Sequence, residues 1–161
     1  MKTDEQRALE QIAVSTSVDN LRARLKNARG KSQVVYRATL DRLARVSAGN
    51  VDDPVARACW EMVYTIEEIR RESGRKVWRM HRLRPKIERE GEIAALDYCA
   101  RNETDGFDEV LGYGLPQLTA EAIVLRYREN FADETLRAAR DRLSGAGVDV
   151  EAAVIGQKQP Q

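Results

Sequence analysis

Nine cationic side chains stand against two glutamates in the twenty residues from Arg70 to Arg89, a local net charge of +7 in a chain whose total is +1. Seven of the nine are arginines, whose planar, forked guanidinium groups suit bidentate contact with phosphate oxygens or a guanine edge. Trp78 lies among them, and an indole in such a setting can stack on an unpaired base or seal the edge of a core. Concentrated arginine with an interleaved aromatic is the footprint of a surface that meets phosphate or an acidic partner. Arg71, Arg75, Lys76, Trp78, Arg79, Arg82, Arg84 and Lys86 are the candidate contacts.

The rest of the charge is distributed asymmetrically. Residues 1–69 carry 11 basic and 10 acidic groups, and residues 90–161 carry 7 and 14. A total near zero argues against a protein that coats nucleic acid over its whole surface and leaves a local patch. The acidic stretch also supplies a competing account of the patch. Seven carboxylates lie between Glu90 and Glu109, and that segment could fold back on the basic one and neutralise it.

Motifs for catalysis are absent. The single histidine, His81, excludes the paired-histidine zinc motifs, and Cys59 and Cys99 lie forty positions apart, without zinc spacing. Neither a phosphate-cradling G-x-x-x-x-G-K-S/T loop nor a G-x-S-x-G nucleophile elbow occurs. Gly112-Tyr113-Gly114 lacks the third glycine of a dinucleotide fingerprint and reads as a helix-ending turn. Glu67, Glu68, Glu88 and Glu121 show no E-x-x-H recurrence of the kind that builds a helical metal site. Asp52 and Asp53 read as helix-start residues. The expectation is a binding protein without catalysis, metal or cofactor. Nucleic acid, held through its phosphate backbone, is the first partner. The alternative is an adaptor or inhibitor docking the same Arg/Trp face on an acidic protein, since tryptophan, tyrosine and arginine also dominate protein hot spots. A helix-turn-helix between 107 and 143 fits poorly, because its first helix carries Asp105, Asp108 and Glu109, which repel phosphate.

The elements that must position these residues read as helical nearly throughout. Val18, Leu21, Leu25 and Ala28 form one stripe, which Ser17 caps and Gly30 ends; Tyr36, Leu40, Leu43 and Ser47 form a second. Asp53-Pro54 is a strong start signal for a third helix. From there Val55, Cys59, Met62, Ile66, Ile69, Ser73, Val77 and Met80 advance by three or four without losing phase. This predicts a helix from Pro54 to Leu83, roughly 45 Å long, against a radius of gyration of about 15 Å for a domain of this size. On its far side Trp60, Tyr64, Arg71, Arg75, Trp78 and Arg82 would cluster, and its length offers a seam for a homodimer. Pro85 predicts a kink or stop near Arg84. A helix over 86–101 follows, weakened by Gly91, and then three short helices carrying Phe107 to Leu111, Ile123 to Tyr127, and Leu136 to Leu143.

The fold expected is all-α: a single compact multi-helix domain of six to eight helices over residues 1–155, built around one long central helix, with a flexible tail at 156–161. No run of the ~18 apolar residues that span a bilayer occurs, so no membrane partner is expected. Polar N-terminal residues and two cysteines read as buried thiols fit the cytoplasm.

Overall fold

Several helices begin where a short polar side chain can take up an unpaired backbone N–H. In the computed structural model, which describes residues 1–76 and 79–155, α1 (Asp4–Val14) opens with a reciprocal capping box. Gln6 N–H donates to the Thr3 hydroxyl, and Thr3 N–H donates to Gln6 Oε1. Ser17 caps α2 (Val18–Ala28), Ser32 caps α3 (Gln33–Ser47), and Asp53 caps α4 (Pro54–Glu72) with Pro54 in its first turn. The helix α1 had no counterpart in the sequence reading.

The long helix does not form. α4 stops at Glu72 after 19 residues, and the reason is local. Gly74 takes a left-handed φ of +77°, Arg75 N–H reaches back to Arg70 C=O, and Gly74 N–H to Arg71 C=O. That is the double bond pattern of a Schellman stop. The Ser73 hydroxyl adds bonds to the carbonyls of Ile69 and Arg70. The hydrophobic phase carried through Ser73-Gly74 in the sequence, but the backbone turned.

After the connection 73–82 the chain re-enters helix as α5 (Leu83–Glu90). Pro85 sits in its first turn, where a missing N–H costs nothing, so it starts this helix rather than stopping one. Gly91, at φ +92° and ψ 168°, then divides the expected 86–101 helix into α5 and α6 (Glu92–Arg101). The rest comprises α7 (Asp105–Gly112), a 3-10 turn at Pro116–Leu118, α8 (Ala120–Arg126), a 3-10 turn at Arg128–Asn130, α9 (Asp133–Gly145) and α10 (Val150–Ile155). Ten α-helices and no strand therefore stand among the described residues, against the six to eight expected. The tail at 156–161 lies outside them.

The buried side chains form one continuous core. α4 packs on α3, α6, α7 and α8, while α8 packs on α4, α6, α9 and α10. Six consecutive residues of α8, Ala120 to Leu125, are buried, so the centre is shared between α4 and this short helix. Val55, Cys59, Met62, Ile66 and Ile69 are all buried within the chain itself, so the apolar stripe of α4 is taken up by the core. Each fully buried leucine, such as Leu21, Leu40, Leu96 and Leu143, contributes about 1.5–3 kcal/mol. No described helix is long and apolar enough to cross a membrane.

Candidate nucleic-acid interface

The same helix stop that shortens α4 sorts the cations into two groups. Arg70, Arg84 and Lys86, on α4 and α5, pair with carboxylates. Arg70, on the last turn of α4, places its fork on Glu109 of α7, with Nη2 at 2.7 Å from Oε1. Those hydrogen bonds, ahead of the opposing effect of burial, push the guanidinium above its ordinary value. Arg84 of α5 reaches back to Glu67, which is 3% exposed, with bonds of 2.6 and 2.7 Å. Its guanidinium also lies 5.2 Å from the Trp60 ring centroid and 5.8 Å from that of Tyr64. Lys86 bonds Glu90 at 2.9 Å and draws that carboxyl below the usual range, while lying 5.1 Å from the Tyr98 ring centroid.

The second group lies in the connection. Arg75, Lys76, Arg79 and Arg82 are all exposed. Arg75 stands 3.8 Å from Glu109, a loose contact beside that of Arg70, and Arg79 has an interaction within the chain. Lys76 and Arg82 make no ion pair among the described residues. His81 is exposed beside them. Arg71 is half-buried on α4 and engaged with the protein. Trp78, the aromatic of the sequence reading, lies outside the described residues.

Arg84 and Lys86 of the candidate contacts are engaged with Glu67 and Glu90. Arg75 and Arg82 do not share a helical face with Trp60 and Tyr64, because α4 ends first. The acidic stretch does meet the basic one: Glu109 reaches Arg70 and Arg75, and Glu90 reaches Lys86 and, at 3.9 Å, Arg89.

Two features of the setting were invisible in the sequence. Glu67 also accepts the Met80 N–H at 3.2 Å, so one carboxylate ties down both the end of the connection and the start of α5. Glu68 is 5% exposed and accepts two bonds from Arg22 of α2, which fixes the other flank of α4. Fixed ends position the cations between them. Among the described residues no cluster of histidine, cysteine and carboxylate side chains could hold a metal ion. Compared with known proteins, the chain matches no family model, no curated protein and no solved structure.

Proposed function

We propose that this chain is a nucleic-acid-binding protein that acts by binding alone, and that its contact surface is the connection between α4 and α5. The observation that carries the reading is the concentration of exposed cations there: Arg75, Lys76, Arg79 and Arg82 within eight positions. Arg70 and Arg84 of the same run are held by Glu109 and Glu67, whereas Lys76 and Arg82 make no ion pair among the described residues, so the connection presents exposed positive charge to a polyanion.

Contact of this kind is made mainly with phosphate. Three or four neutralised phosphates give a salt dependence of log K of about −3 to −4 on duplex DNA, and modest affinity at physiological salt. The side chains are long and separate rather than mounted on one helix, so they fit a backbone more readily than the ordered base edges of a major groove.

The test is a fluorescence-anisotropy titration with labelled duplex DNA, single-stranded DNA and RNA at two salt concentrations. Wild type is compared with Lys76→Glu/Arg82→Glu and with Arg128→Glu/Arg137→Glu, the same charge change at exposed positions elsewhere. Salt-sensitive binding should be lost in the first variant and largely kept in the second. Equal loss in both would reduce the effect to overall charge. If wild type binds none of the three at low salt, the reading fails, and the same cations become a docking face for an acidic protein.

A further inference from the structure

Among the described residues Tyr98, on α6, is the one aromatic side chain that stands exposed, at 49%; the others are buried or half-buried. Its backbone is firmly placed, because Leu96 and Cys99 on either side of it belong to the core. Lys86 Nζ lies 5.1 Å from the ring centroid, and a cation against the ring restricts its orientation. Lys86 stands one turn of α5 beyond Arg82, its N–H bonded to the Arg82 carbonyl at 3.3 Å, and residues four apart share one side of a helix. A line therefore runs from the basic connection through exposed Arg82 and Lys86 to the exposed ring.

We propose that the nucleic acid held at the connection is single-stranded, with an unpaired base stacked on Tyr98 and a neighbouring phosphate on Arg82. This rests on nucleic-acid binding at the connection and names the form of the partner. An aromatic ring accepts the face of any base, so such contacts tolerate every sequence. A duplex keeps its bases paired inside the stack and would have to unstack one to reach the ring, at a cost.

The charges around the ring favour a base over a phosphate there. Glu90 accepts from Lys86 at 2.9 Å, Glu92 opens α6, and Asp97 precedes Tyr98 in the chain. These carboxylates repel phosphate at the α6 end and leave an uncharged base the better occupant. Lys86 stays with Glu90 and orients the ring, so the phosphate contacts remain those of the connection. The ring contributes without charge and the cations contribute through it, so the two respond differently to salt.

The test is fluorescence anisotropy with a labelled oligothymidylate, an abasic strand of the same length and a duplex, over a series of salt concentrations. The full-length wild type should bind oligothymidylate about fivefold or more tightly than the abasic strand. Tyr98→Ala should abolish that preference, leaving duplex affinity and the slope of log K against log salt unchanged. Tyr98→Phe keeps the ring and should keep the preference. The abasic comparison uses the wild type alone, so it decides the matter even if the alanine variant is poorly folded. Equal affinity for oligothymidylate and the abasic strand, tighter binding of the duplex, or an undiminished preference in folded Tyr98→Ala would overturn this inference and leave phosphate binding at the connection standing. Binding of none of the three would overturn both.

Discussion

Arg84 donates to both oxygens of Glu67, seventeen positions earlier in the chain, at 2.6 and 2.7 Å. This places the start of α5 against the fourth turn of α4 and closes the connection at its far end. Breaking one side leaves the other stranded: a buried carboxylate without its cation costs about 3 kcal/mol or more. Arg84→Ala should therefore lower stability by roughly that amount. Glu67→Leu/Arg84→Leu should recover much of the loss, because an apolar pair leaves no uncompensated charge. Urea denaturation of the two variants, with m-values compared to the wild type, measures both effects.

Two other carboxyls predict how stability changes with pH. Burial raises Glu61, and burial also raises Glu121 against the opposing hydrogen bond from Arg142. A carboxyl raised in the folded state holds its proton there more tightly than in the unfolded chain. Its contribution is therefore greatest below the ordinary value of 4.5 and is lost as pH rises through the folded value. Glu61→Gln, which keeps the shape and abolishes the charge, should be more stable than wild type at neutral pH. That advantage should shrink as pH falls from the raised folded value toward 4.5. Urea midpoints at mildly acidic and slightly alkaline pH give the sign, and an advantage that grows toward acid would contradict it.

Gly91 and Gly112 should respond oppositely to alanine. Gly91 joins α5 to α6 at φ +92°, ψ 168°, a region essentially reserved for glycine. Gly91→Ala should cost about 1–3 kcal/mol even though the added Cβ would meet nothing within 4 Å. Gly112, in the last turn of α7, has no positive φ and equally open space. There alanine should be neutral or stabilising by up to about 1 kcal/mol through its better helix propensity. Thermal melts should fall for Gly91→Ala and hold or rise for Gly112→Ala.

Cys59 and Cys99 should resist modification. Both are free and buried, and burial pushes the Cys99 thiol up to about 12 and Cys59 higher still. Reactive thiolate is scarce in both. An aromatic disulfide reagent at slightly alkaline pH should titrate neither cysteine in the native protein and both in urea. Rapid labelling in the native state would mean that α4 and α6 separate readily in solution.

Local signals were the legible part of the sequence. Ser17 and Asp53 cap the helices they were expected to cap, because a cap is decided by a residue and its next three neighbours. The end of α4 was not legible from periodicity, since Val77 and Met80 continue the apolar phase beyond Gly74. The backbone pattern around Gly74, with Glu67 drawing Met80 and Arg84 back, decided it instead. Thr3-x-x-Gln6 carries the capping-box signal for α1, in a segment whose polarity masks its helical character. Of the basic residues, Arg84 and Lys86 looked equivalent to Arg82 in the sequence, and only three-dimensional pairing separates them. Lys86 and Tyr98 meet across two separate helices, so no spacing rule along one helix joins them.

The clamped ends of the connection also bear on what this scaffold could carry. Glu67 holds Met80 and Arg84, the Ser73-Gly74 stop closes α4, and the ten residues of 73–82 run between them. Closure entropy between fixed points grows slowly with length, by about 0.6 kcal/mol for each doubling. The helical body should accept a longer or foreign sequence there with little loss of stability, which makes this junction a natural place for variation in length and a ready graft site.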